Sequence, residues 1–268
     1  MAISGLQECD DNIWWRLQRG SGPVIATAIH DGHGLRDEVR AAMALCDGDR
    51  LREEDPHTGH AAAGVTNHVI AARSRFEVDL NRETDEAVYR TPDQSWGMDV
   101  WHAEPSADLV ARSLALHTAF YKMMADTLDQ MAAQHDRFIL FDIHSYNHRR
   151  DGPDAAATPQ EDAPDVNIGT FSMPRTYWAP VLEPIIESMR DFDFNGRKLD
   201  VRENIAFQGR GALTRFVHER YPRQGCAIAI EFKKFFMDEW TGVPDTAALA
   251  AMRDLISHSA AAAQAALQ

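Results

Sequence analysis

Three short apolar runs in this sequence each lead into a residue suited to hydrolytic chemistry. Val24 to Ile29 leads into His30, Phe138 to Ile143 into His144 with Asp142 inside the run, and Cys226 to Ile230 into Glu231. Runs of this length, rich in Val, Ile and Ala, read as strands of a sheet buried on both faces. In open parallel α/β sheets the functional crevice lies beyond the carboxyl ends of the strands. Two imidazoles and a carboxylate are therefore expected to meet at one edge of one sheet, a donor set that suits a zinc-dependent hydrolase.

His30 stands in Ile29-His30-Asp31-Gly32-His33-Gly34. The glycines allow a tight turn and close approach of a ligand. His33 lies three residues on, and Asp31 is available to orient a ligating imidazole. His144 and Asp142 are two apart, so on a strand they share a face. Asp142 can then be a ligand or can orient one, and the plainer alternative is a strand-end histidine bonded to a carbonyl. A hydrolytic zinc needs a third protein ligand besides an open position for water. Arg52-Glu53-Glu54-Asp55-Pro56-His57 offers one, with Glu54 or Asp55 as the candidate and a solvated acidic face as the alternative.

Asp79-Leu80-Asn81-Arg82 follows the alternating stretch Phe76 to Leu80. Arginine presents a planar fork that grips a carboxylate, and an adjacent asparagine adds a donor. The alternative is a surface Arg82 paired with Glu83 or Asp85. Arg75 and Arg210 are further candidate anion contacts. Glu231 ends a wholly apolar run, where an unpaired acid is expensive to bury. It is expected to serve as a general base beside a metal, or else to pair with Lys233 or Lys234. The sequence contains neither the Gly-x-Ser-x-Gly elbow of a serine hydrolase nor a nucleotide P-loop.

The elements that must position these residues can be read from periodicity. Val110, Leu114, His117, Tyr121, Met124, Leu128 and Met131 make one apolar stripe on a helix that starts near Ser106. His117, Met124 and Met131 are core residues on that reading. Further helices are expected from about Pro180 to Arg190, with proline tolerated only near the first turn, from Thr214 to Glu219, and from Asp245 or Thr246 through the Ala-rich tail. The tract Arg149 to Asp165 carries three prolines and reads as a loop, either a lid or a surface excursion. Apolar runs alternating with helices predict a single three-layer α/β domain over 1–268, with a mixed, mostly parallel sheet and helices on both faces.

Composition agrees with a globular α/β chain: 268 residues, 44% apolar and 25% charged. The formal net charge of −14 disfavours nucleic acid or an anionic membrane as partners. It still permits a small anionic substrate held by a local cluster of arginines. Three cysteines without a CxxC pair argue for a reducing compartment, and no membrane-length apolar run or signal sequence is seen, so the cytoplasm is the expected location.

Taken in order, five segments resemble the N-formylglutamate amidohydrolase family. Ile29-His30-Asp31-Gly32 is similar to its Pro-His-Ser-Gly, Asp79-Leu80-Asn81-Arg82 to its Asp-Leu-Asn-Arg, and Phe141-Asp142-Ile143-His144-Ser145 to its Asp-x-His-Ser. Asp165-Val166-Asn167-Ile168-Gly169-Thr170 is similar to its Asp-Leu-Asn-Leu-Gly-Thr. Ile230-Glu231 through Phe236-Met237-Asp238-Glu239 is similar to its Glu-(Leu/Ile)…Tyr-Met-Asp-Glu close. The resemblance implies a zinc-carboxypeptidase-like fold and hydrolysis of an N-formyl or other N-acyl amino acid. It implies that His30 and His144 hold zinc with Glu54 or Asp55, that Glu231 activates water, and that Asn81 and Arg82 hold the substrate carboxylate. Ile29 and Asp31 depart from the family's Pro and Ser. A carboxypeptidase-like peptidase and a binding protein with a decayed site are the rival expectations.

Overall fold

A computed structural model describes residues 14–268. Cys9 and the polar, acidic start of the chain lie outside the described residues. Seven strands build one sheet: β1 Trp15–Gln18, β2 Val24–Ala28, β3 Asn67–Ala71, β4 Phe138–Tyr146, β5 Val166–Gly169, β6 Val201–Glu203 and β7 Gly225–Lys233, in the order β1-β3-β2-β4-β7-β5-β6. The pairs β1/β3 and β5/β7 are antiparallel and the other four are parallel. The sheet is mixed and mostly parallel, as the sequence predicts. The helices are α1 Asp37–Ala42, α2 Asp47–Glu53, α3 Thr58–Ala62, α4 Ala107–Gln134, α5 Arg175–Asp191, α6 Ala212–Arg220 and α7 Thr246–Ala266.

The apolar runs are continuous because both faces of the central strands are covered. Ala26, Ala28, Ile139, Phe141 and Ile143 pack with residues of α3, α5 and α7 on one face. Ile25, Phe138, Leu140 and Ala227 pack with residues of α4 and α6 on the other. Successive residues of one strand thus feed two cores. Each fully buried Ile or Phe contributes about 1.5–3 kcal/mol of transfer free energy. That burial offsets the backbone ordering needed to fix the strand ends where the polar residues sit.

Helix α4 begins where expected, with the Ser106 hydroxyl accepting from the Leu109 N–H. His117 is buried on its stripe and its Nε2 lies 2.9 Å from the Arg82 carbonyl, a structural role. Helix α5 departs from expectation, because it starts at Arg175 and keeps Pro180 and Pro184 in its interior. Proline removes the bond to the carbonyl four residues back. Pro180 and Thr176 are on the exposed side, so the carbonyl freed at Thr176 can turn to water, while Trp178, Val181, Leu182, Ile185 and Ile186 anchor the opposite face. The alternating Phe76–Leu80 stretch forms turns rather than a strand.

The 149–165 tract is irregular, and both of its ends are tied down. Glu239 accepts from the N–H groups of His148 and Arg149 at 2.8 and 2.9 Å. Tyr146 donates to the Pro164 carbonyl, and Arg202 donates to the carbonyls of Gln160 and Glu161. Among the described residues no helix is long and apolar enough to cross a membrane.

Candidate active site

The three strand-end residues converge. His30 follows β2, while His144 and Glu231 are Cα partners near the ends of β4 and β7. Asp55, from the loop after α2, joins them because its N–H donates to the His30 carbonyl at 2.9 Å. His30 Nδ1 lies 3.3 Å and His144 Nδ1 3.1 Å from Asp55 Oδ2. One ligand atom from each of His30, Asp55 and His144 fits within 4.8 Å of the others, and all three residues are buried.

Each imidazole is backed by a second carboxylate. His30 Nε2 lies 2.7 Å from Asp79 Oδ1, and His144 Nε2 lies 3.0 Å from Asp142 Oδ2. A carboxylate can only accept, so the bond to Asp79 puts a proton on His30 Nε2, while His144 directs Nδ1 to Asp55 and Nε2 toward Asp142. His30 Nδ1 is buried with no hydrogen-bond partner among the described residues. Two imidazole nitrogens converging on one buried carboxylate oxygen make a place that a cation would satisfy. Two imidazoles and one carboxylate, each imidazole held by an outer acid, fit a hydrolytic metal site.

The electrostatics follow from burial and neighbours. Burial alone would lift the Asp55 carboxyl, but hydrogen bonds from His144 and His30 hold it well below the usual carboxylate range. Burial likewise opposes ionisation of Asp79, and Arg75 and His30 outweigh it. His144 would be lowered by burial, yet Asp142 and Glu231 hold its imidazole well above the ordinary histidine value. Glu231 is pushed up to about 7, chiefly by burial. A carboxylate poised there can both take and return a proton near neutral pH.

Two cavities share Glu231 and Asn81. The first, of about 130 Å³, is lined by the His30–Asp55–His144 cluster, with Arg75, Asn147, Lys234 and Trp96 among the other walls. The second, of about 360 Å³, has Phe207 in common with the first as well and is lined also by Arg210 and Gly211. Asn81 is fixed from both sides, its N–H donating to Asp79 Oδ1 at 2.8 Å and its Oδ1 accepting from the Leu213 N–H at 3.4 Å. A Cβ at Gly211 would lie 2.1 Å from Asn81 Oδ1, so any larger residue there would push the Asn81 amide out of this place.

Several sequence expectations are redirected. Of the two candidate third ligands, Asp55 reaches the cluster and Glu54 does not. Glu54 Oε1 accepts from Ser74 and from Arg50 at 3.2 Å, and its Oε2 pairs with His33 Nδ1, so both oxygens are engaged away from His30 and His144. Asp31 does not back His30, because its Oδ1 accepts from the Gly59 N–H at 2.8 Å. Asp142 orients His144 rather than joining the cluster of ligand atoms. Arg82 lines neither cavity: its Nη2 donates to the Gln94 carbonyl at 2.8 Å and its guanidinium lies 4.8 Å from the Tyr89 ring centre.

Arg75 lines the first cavity, yet Asp79 takes its Nη2 at 2.8 Å and Tyr89 its Nε at 3.1 Å. Arg210 lies 3.8 Å over the Phe171 ring centre and forms no ion pair among the described residues. Neither lysine after Glu231 pairs with it. Lys233 Nζ reaches the Ala163 carbonyl at 2.9 Å, and Lys234 Nζ reaches the carbonyls of Arg52 and Glu54. The residues missed by sequence reasoning are Asp79 as the acid behind His30, Trp96, Asn147 and Lys234. Only Asp79 left a signal, through its place in Asp-Leu-Asn-Arg.

Comparison with known proteins places this geometry. The family model described as N-formylglutamate amidohydrolase matches residues 22–237. Among solved structures, the fold is similar to an N-formylglutamate amidohydrolase from Ralstonia eutropha JMP134, with a TM-score of 0.72 at 13% identity over 94% of this chain and 97% of that one. It is also similar to a gene product of Agrobacterium tumefaciens, with a TM-score of 0.66 at 14% identity over 94% of this chain and 95% of that one. At these identities the likeness is one of fold. No curated protein matches the sequence.

Proposed function

The chain belongs to the N-formylglutamate amidohydrolase family and is a hydrolase acting on an amide, and from that premise we propose that it cleaves an N-formyl or other short N-acyl amino acid, of which N-formylglutamate is one, to the free acid and the amino acid. The observation that carries the reading is the convergence of His30, Asp55 and His144 beside Glu231 at the ends of three parallel strands. We assign the ion to zinc, since two imidazoles and a carboxylate suit it. When bound, zinc supplies Lewis-acid activation of water and of the acyl carbonyl.

The chain's own residues do the rest. With the ion held, Asp79 and Asp142 would accept from Nε2 of His30 and His144, leaving both Nδ1 atoms as donors to it. Glu231 takes a proton from the attacking water and returns it to the nitrogen of the leaving amine. Arg75 places positive charge in the first cavity, near the oxygen that gains charge in the transition state. Arg210, with no acidic partner among the described residues, takes the α-carboxylate in the second cavity, and Asn81 adds a donor between the two. Metal analysis followed by a panel of N-formyl amino acids and short peptides tests the reading. Turnover of the formyl compounds supports it, and turnover of peptides alone replaces it with a carboxypeptidase-like activity.

A further inference from the structure

The first cavity has a polar wall that the proposed reaction does not use. Asn147 is 6% exposed and lines that cavity. Its Nδ2 donates to the Arg52 carbonyl and to Glu53 Oε1, both at 3.0 Å. Two acceptors fix the orientation of the amide, because turning it over would set oxygen against oxygen. Its Oδ1 is then a buried acceptor, and it has no hydrogen-bond partner among the described residues.

Lys234 stands beside it. Its Nζ donates to the same Arg52 carbonyl at 2.5 Å and to the Glu54 carbonyl at 2.7 Å. An ammonium has three donors, so one N–H remains for the cavity that Lys234 also lines. The wall thus presents one unfilled acceptor and one unfilled donor, both on groups that meet at a single carbonyl oxygen.

We propose that Asn147 and Lys234 form a side-chain subsite for a neutral carboxamide, making an N-acyl glutamine or asparagine, or a peptide amide at the same place, a better substrate than the corresponding glutamate or aspartate. An amide N–H meets Asn147 Oδ1 and the amide carbonyl meets Lys234. A carboxylate has no proton to give Asn147 and would also face Glu53. The other cations of this cavity are already engaged, Arg75 by Asp79 at 2.8 Å and Arg150 by Glu53 at 3.6 Å. Beyond the Lys234 ammonium, which the carbonyls of Arg52 and Glu54 hold, neither cation of this cavity is free for a second carboxylate. This inference rests on the amidohydrolase reading of the site.

The test compares kcat/KM for N-formylglutamine, N-formylasparagine, N-formylglutamate, N-formylmethionine and an N-formyl dipeptide. The carboxamides are expected to exceed glutamate and methionine by about tenfold or more, the cost of leaving a buried polar group unpaired. Asn147→Ala is expected to collapse the glutamine-to-glutamate ratio toward one, whereas a merely structural role lowers every substrate together and leaves the ratio standing. If that variant fails to fold, the wild-type ratio still decides. Preference for the dipeptide over glutamine assigns the subsite to a backbone amide. Equal or better turnover of glutamate, or of methionine, overturns the subsite while leaving the amidohydrolase reading intact. If no compound is cleaved, the amidohydrolase reading fails, and calorimetric binding of free glutamine against free glutamate decides the subsite by the same preference.

Discussion

His144 and Glu231 face each other as Cα partners on the adjacent parallel strands β4 and β7. The pairing sets a proton acceptor beside a metal-type donor by register alone. A slip of one residue in either strand would turn its side chain to the opposite face of the sheet and separate the two. The fully buried runs that precede them make such a slip costly, so the core and the chemistry are specified by the same residues. Asp142 belongs to this arrangement, two residues before His144 and on the same face.

The identity of the third ligand gives the first prediction. Asp55→Asn is expected to lose most bound metal, because it removes the carboxylate on which both Nδ1 atoms converge. His144→Ala is expected to do the same. Glu54→Gln is expected to keep the metal, though at lower stability, since it weakens a buried network with Arg50, Ser74 and His33. Metal content of the purified variants checks this, and metal loss in Glu54→Gln with retention in Asp55→Asn would reverse the assignment.

Asp79→Asn is expected to lower metal affinity about 10- to 100-fold without removing a ligand. An asparagine in that place can present its N–H to His30 Nε2, which favours the wrong tautomer and leaves Nδ1 protonated. Competition against a chelator measures the change. Affinity equal to the parent would mean that Asp79 serves Arg75 and Tyr89 rather than His30.

Arg210→Ala is expected to raise KM about tenfold or more with a smaller change in kcat, the mark of a lost ground-state contact. Arg82→Ala is expected to leave KM near the parent value, because its guanidinium is spent on the Gln94 carbonyl and on Tyr89. A large KM effect confined to Arg82→Ala would restore it as the carboxylate clamp.

These contrasts mark what sequence alone could reach. The sheet, both histidines and Glu231 were legible because buried parallel strands leave continuous apolar runs, and a polar residue at the end of one stands out. Asp55 was narrowed to one of two neighbours, since consecutive loop residues carry no periodic signal for which way they point. The Arg82 guanidinium lies on Gln94 and Tyr89, which no local pattern announces because they are brought to it only by tertiary packing. Asn147 and Lys234 were invisible for the same reason: their partners are the carbonyls of Arg52 and Glu54, far away in sequence. Pro180 and Pro184 show packing overriding local preference, with an apolar face holding a helix that its prolines would otherwise end.

Glu231 yields the last prediction, with two readouts of opposite sign. Its folded value of about 7 lies above the ordinary 4.5, mainly through burial. An acid raised in this way contributes stability that is present below about 4.5 and is lost as pH rises through about 7, where the buried carboxylate ionises. In metal-free protein, Glu231→Gln is therefore expected to raise Tm at pH 8 and to change it little at pH 5. Activity runs the other way, because only the ionised group accepts a proton. The kcat/KM of the metal-loaded parent is expected to fall on its acid limb at or below pH 7, since a nearby cation favours the carboxylate. Glu231→Gln is expected to keep the metal and lose about 10²–10⁴ of the rate, the usual worth of a general base. Thermal melts at the two pH values and a pH–rate profile measure both effects. A variant that is stabilised at pH 8 yet turns over like the parent would keep Glu231 as a buried acid and remove it from the chemistry.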